Sequence, residues 1–111
     1  MKTNFNVLWV DVAEKDLIEI VEHIARDDPT TATKILGRLK SGANSLHNFP
    51  ERGRIVPELF DQGISVYHEL VESPWRIIYR VEQNKVLVLS VLDSRRNVED
   101  ILLRRLIQIR S

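Results

Sequence analysis

The sequence predicts an α+β domain in which an antiparallel sheet of three to four strands carries a helical hairpin on one face. Three observations support this. Trp75-Arg76-Ile77-Ile78-Tyr79-Arg80-Val81 and Val86-Leu87-Val88-Leu89-Ser90-Val91-Leu92 are β-branched, apolar runs joined by Glu82-Gln83-Asn84-Lys85, the pattern of a β-hairpin. Between residues 11 and 46 apolar side chains recur at helical spacing with one short break, so two helices should lie side by side. The chain has 111 residues, 43% hydrophobic and 29% charged, enough for one core and too few for two, so residues 1–111 are read as a single domain.

Each element follows from a local pattern. Residues 4–10 alternate Phe5, Val7 and Trp9 against Asn4, Asn6 and Leu8, a first strand expected to join the hairpin's sheet. From Asp11 the period changes: Ala13, Leu17, Ile20, Val21 and Ile24 share one helical face, with Lys15, Glu19 and Glu22 opposite. Asp11 stands as the cap, and Glu14 is placed to complete a capping box. Asp28-Pro29 reads as an N-cap followed by proline at the first helical position, where a missing N–H costs nothing. Ala32, Ile35, Leu36, Leu39, Ala43 and Leu46 then keep a second stripe, off which Lys34, Arg38 and Lys40 lie. The short connection makes the pair antiparallel. Gly37 and Gly42 each cost about 1 kcal/mol against alanine in a helix interior, and mark either close approach to the first helix or a tolerated cost.

Asn48-Phe49-Pro50-Glu51-Arg52-Gly53-Arg54 ends the second helix and opens a charged, irregular segment expected to run to about residue 63. Residues 64–72 resume a strand, with Ile64, Val66, His68 and Leu70 on one face and Ser65, Tyr67, Glu69 and Val71 on the other. Glu72-Ser73-Pro74 turns into the hairpin, where Trp75, Ile77, Tyr79 and Val81 oppose Arg76, Ile78 and Arg80. After Asp93-Ser94-Arg95-Arg96, Asn97 with Asp100 signals a C-terminal helix. In it Ile101, Leu102, Leu106 and Ile109 should face the body, and Arg104, Arg105 and Arg110 the solvent. Leu102, Leu103, Leu106 and Ile107 exceed one narrow stripe, so this helix is expected to bury surface against a second chain as well. With the helical hairpin on one side, the sheet's other face should be partly open.

Composition excludes several classes. Lys+Arg and Asp+Glu both number 16, so no bulk charge draws the chain to nucleic acid. No apolar run reaches the ~20 residues of a membrane span, and the N-terminus lacks the look of a signal peptide; a cytoplasmic protein without a membrane partner is expected. Zero cysteines remove thiolate chemistry. His23, His47 and His68 lack ligand spacing, so no metal and no cofactor are expected. Asp11, Asp16, Glu19 and Glu22 read as an exposed helix face, and neither a phosphate-cradling glycine loop nor a serine elbow is present.

What remains is arginine. Arg76 and Arg80 share a strand face, where guanidinium forks can grip carboxylate or phosphate, or can pair across strands with Glu69. Arg52 and Arg54 flank a loop glycine, and Arg95 and Arg96 follow the last strand. Tyr67 and Tyr79 could stack on bases, although packing suits Tyr79 better, and Trp9 and Trp75 suit core or sheet-edge positions.

In order and spacing, Ala13-Glu14-Lys15-Asp16-Leu17, Asp28-Pro29, Phe49-Pro50-Glu51-Arg52-Gly53-Arg54, His68-Glu69-Leu70, the Trp75 strand and Val91-Leu92-Asp93-Ser94-Arg95-Arg96 resemble the RelE/ParE superfamily, the toxins of bacterial type II toxin–antitoxin systems. The resemblance implies growth inhibition, a place in plasmid stabilization, and a cognate antitoxin whose tail wraps the toxin and blocks its working face. It also implies Arg54, Arg76, Arg80, Arg95 and Arg96 as that target- or antitoxin-binding face. A homodimer, or a heterotetramer with the antitoxin, is compatible with it. The superfamily divides by target. One branch cleaves mRNA on the ribosome, and there Arg76 with Arg95 or Arg96 would be the catalytic phosphate clamps. The ParE branch inhibits DNA gyrase by binding. The basic strand positions of the nuclease branch fall here on Tyr67 and Glu69, its terminal aromatic near Leu102, and its frequent histidine on Asp93, while His68-Glu69-Leu70 resembles ParE. A ParE-like toxin is therefore expected, ahead of a ribonuclease or a non-toxic antitoxin-binding module.

Overall fold

The computed structural model describes residues 4–110, with side chains as far as residue 106. The expected orientations of Ile107, Ile109 and Arg110 thus lie outside the described side chains. The order is β1 (Asn6–Trp9), α1 (Asp11–Ala25), α2 (Pro29–Asn44), a 3₁₀ turn (Ser45–His47), β2 (Arg54–Ile55), α3 (Pro57–Phe60), β3 (Tyr67–Glu72), β4 (Trp75–Glu82), β5 (Lys85–Asp93) and α4 (Val98–Arg110).

The sheet has five strands in the order β1-β5-β4-β3-β2. It is mixed, since β1 runs parallel to β5 while the other pairs are antiparallel. The helical hairpin provides part of the long crossover that a parallel partner requires. The irregular segment gains a two-residue edge strand and a single helical turn, both too short to leave a periodic trace.

At the start of α1 the cap differs from expectation. Val10 stays extended and donates its N–H to Val88 O at 3.0 Å, so the strand runs straight into the helix. Asp11 is then the first helical residue, with Glu14 close behind, and both favour the positive end of the helix dipole without capping it. Asp28 caps α2 as expected, accepting from Thr31 N at 3.1 Å and from its hydroxyl at 2.6 Å. Gly37 faces open space. A Cβ on Gly42 would meet Glu72 and Ile77, so the close approach is to the sheet rather than to α1.

Two apolar layers sandwich the sheet. Ala13, Leu17, Leu39, Ala43 and Leu46 of the helical side pack on Leu70, Ile77, Tyr79, Val86, Val88 and Val91. On the second face Val56, Leu59, Val98 and Leu102 pack on Ile78 and Leu92, so α3 and α4 cover part of it. A bulge changes the phase of β5: Ile78 pairs Ser90 but Tyr79 pairs Val88, leaving Leu89 between them. Past Val88 this edge of β5 has outrun β1, and Asp16 of α1 takes over by accepting from Val91 N at 2.9 Å. Arg105 of α4 completes the closure, with Nη1 and Nη2 on Asp16 at 2.8 and 3.0 Å and Nη1 also on Ser90 Oγ at 2.8 Å. Neither Asp16 nor Arg105 is therefore the solvated charge its spacing implied.

Candidate binding face

The second face of the sheet is laid out in cross-strand rows. Val71, Arg76 and Leu92 form the first, Glu69, Ile78 and Ser90 the second, and Tyr67, Arg80, Leu87 and Leu8 the third. Arg76, Leu92, Glu69, Ile78 and Ser90 are all buried. The third row is open: Tyr67, Arg80 and Leu87 are half-exposed and Leu8 is exposed.

An ion network binds the first two rows together. Arg76 Nε donates to Glu69 Oε1 at 2.7 Å, and Nη1 and Nη2 grip both carboxylate oxygens of Glu58 at 2.7 and 2.6 Å. The other oxygen of Glu69 accepts from Arg54 Nε at 2.7 Å. Glu69 and Arg76 are diagonal neighbours across β3 and β4, which brings long side chains together. The Glu69 side chain is 0% exposed and that of Arg76 7%, so each buried charge is compensated by its partners. Bonding to Arg76 holds the Glu58 carboxyl below its ordinary range. The same bonds to Glu58, reinforced by Glu69, raise Arg76 against the opposing effect of its burial.

The network also fastens the 48–63 segment, with a second anchor beside it. Tyr79 is fully buried, donates its hydroxyl to Pro50 O at 2.8 Å and accepts from Gly53 N at 2.9 Å. Burial pushes its phenol upward. A Cβ at Gly53 would stand 2.5 Å from both Glu69 O and Tyr79 Oη, so only glycine fits.

The structure thus separates the five predicted arginines. Arg54 and Arg76 meet through Glu69, with Arg54 still largely exposed. Arg80 stands in the open row with its guanidinium 5.9 Å from the Tyr67 ring centre. Arg95 and Arg96 lie at the far end of β4, where Asp93 pairs with Trp75, roughly 17 Å from Arg80 at ~3.3 Å per strand residue. Arg95 is committed to Asp93, with Nε on Oδ1 at 2.9 Å, and holds that carboxyl down at about 2. Arg95 and Arg96 share a hollow of about 420 Å³ with His23, Glu19 and Trp75 on the helical side. No three His, Asp or Glu among the described residues gather as a metal site would require. His47 Nδ1 lies 2.7 Å from Phe5 O, whereas His68 Nδ1 is buried without a partner beside Tyr79.

Sequence reasoning missed Glu58, Asp16 and the cleft of about 480 Å³ beside the open row. The cleft is walled by Val10, Val12, Leu59, Ile78, Leu89 and Leu106, with Tyr67 and Arg105 also contributing. Its apolar character follows from the bulge at Leu89 and the α4 stripe meeting over one patch of sheet.

This arrangement, helices packed on both faces of a five-stranded mixed sheet, is the fold of a small toxin class. The family model for the ParE toxin of type II toxin–antitoxin systems, parDE, matches residues 7–98. The chain belongs to that family within the RelE/ParE superfamily, and is a type II toxin. It is 30% identical over 90 residues to Toxin RelE2 of Caulobacter vibrioides, covering 81% of this chain and 96% of that one. The chromosomal ParDE toxin–antitoxin system from P. aeruginosa has a chain that superposes with a TM-score of 0.66 at 20% identity, over 80% of this chain and 95% of that one. The toxin–antitoxin complex RelBE2 from Mycobacterium tuberculosis gives 0.59 at 19% identity, over 82% and 92% respectively. Among the described residues no helix is long and apolar enough to cross a membrane.

Proposed function

We propose that this toxin acts in the cytoplasm by binding DNA gyrase rather than by cutting RNA, and that a cognate antitoxin neutralises it. The observation that carries this reading is the burial and full commitment of Arg76, the strand arginine a ribonuclease would need. Cleavage through a 2'-hydroxyl asks for an acid, a base and free cations to steady the phosphate. Arg76 is saturated by Glu58 and Glu69, whereas Arg95 pairs with Asp93 at the surface. The strand positions that would carry basic residues hold Tyr67, under the Arg80 guanidinium, and Glu69, sealed in the network. Arg76 is better suited as a strut that docks α3 on the sheet than as a phosphate clamp. Arg54, Arg80, Arg95 and Arg96 keep exposure enough to meet a partner.

The test is a supercoiling assay with purified gyrase and the purified chain. Inhibition that is relieved by adding the antitoxin is the expected result. Full supercoiling activity at saturating toxin would overturn the gyrase assignment.

A further inference from the structure

The open row and the cleft beside it bring an apolar surface and an exposed cation together. Leu8, Leu87 and Tyr67 set a continuous apolar line across four strands, interrupted by one cation, Arg80. Leu8, in the row, and Val12, in the cleft wall, are 45% and 43% exposed. The cleft of about 480 Å³ opens next to them and lies in the size range of sites that take an anchoring group. The cation in the cleft's own wall, Arg105, is already satisfied by Asp16 and Ser90. Arg80 is not. Among the described residues its ion pair is with Glu82, 3.3 Å long and exposed on both sides, the kind that contributes little.

Resting on the toxin reading above, we propose that this surface is where the toxin seizes its protein target. The occupant is an acidic amphipathic segment that places an apolar side chain in the cleft and a carboxylate on the fork of Arg80. Charge decides the class of partner. A nucleic-acid backbone calls for a track of cations, and this row offers one, with the Tyr67 ring beneath its guanidinium rather than free for a base. A single guanidinium in an apolar line instead matches one carboxylate on an otherwise apolar helix face or strand, the pattern of helix-in-groove recognition.

The test has two arms, both with the full chain. The first titrates anilinonaphthalene sulfonate, an apolar ring system with one anionic group, into folded wild type, Arg80→Glu, Leu89→Gln and the control Lys34→Glu, with melting temperature checked for each. One-site binding to wild type and to Lys34→Glu, weakened at least about tenfold in Arg80→Glu and in Leu89→Gln, is expected. No binding, or binding indifferent to both substitutions, overturns the site. The second arm induces the same variants in cells and follows growth, with co-purification of the antitoxin alongside. Arg80→Glu should lose growth arrest and keep the antitoxin. Undiminished arrest by Arg80→Glu, or loss of the antitoxin together with arrest, overturns the assignment of the surface to the target. Wild type that leaves growth untouched sinks the toxin reading and this occupant with it, while the dye arm still decides whether the site exists.

Discussion

Glu58 holds more of this molecule together than its position in an irregular segment implies. Its carboxylate takes both prongs of Arg76, so replacing it with glutamine leaves a buried guanidinium half-served. Glu58→Gln should therefore cost about 1–3 kcal/mol in urea unfolding near neutral pH. Its folded carboxyl titrates below its ordinary value of 4.5, so the contribution is present above that value and is lost as pH falls through the depressed one. Unfolding curves at a series of pH values from neutral down to about 3 should show the Glu58→Gln penalty shrinking toward the acid end; a penalty that is flat with pH contradicts the assignment. Two glycines supply a matched pair. Gly53→Ala drives a methyl into Glu69 O and Tyr79 Oη and should cost at least about 1–3 kcal/mol. Gly37→Ala meets nothing and should stabilise by about 1 kcal/mol, since helix propensity then acts alone. At this scale legibility was uneven. A Glu69–Arg76 pair could be foreseen because alternation fixes diagonal neighbours. Glu58 could not, because it reaches Arg76 from a one-turn helix that has no periodic signature.

Among the elements, α4 shows how charge can disguise a buried position. Arg105 lies three residues from Leu102 and seven from Val98, on the stripe that packs against the sheet, yet as an arginine it read as solvent-facing. Its aliphatic stem follows the stripe, and its head crosses to Asp16 at the edge of β5. Asp16→Ala should destabilise the fold by about 1–3 kcal/mol, because it strands both the Val91 N–H and the Arg105 fork. Hydrogen exchange at the Val91 amide should accelerate well beyond that of its β5 neighbours; unchanged protection there would show that the edge is closed by something else. The long helices were readable from their stripes and the Asp28-Pro29 start, and β4 and β5 from their composition. The parallel pairing of β1 was not, because the residues of a short strand fix its faces but not its direction.

Taken whole, the chain is a sandwich with one finished side and one unfinished side. The helical hairpin closes the first, and α3 and α4 close only part of the second. That much was legible from counting apolar faces, since a hairpin of helices cannot cover both sides of a sheet. What the open part would be was not legible. The predicted cluster of five arginines scatters, because the fold pairs Arg76 internally and sends Arg95 and Arg96 to the far end of the sheet. The open row left over is apolar with a single cation, Arg80, which favours a toxin that works by gripping a protein.

The most direct test of that claim is tightly repressed induction of this chain alone, with growth, plasmid supercoiling and transcript ends followed in the same culture. Growth arrest with intact messages and relaxed plasmid is the predicted result. Arrest accompanied by messages cut within codons would contradict it.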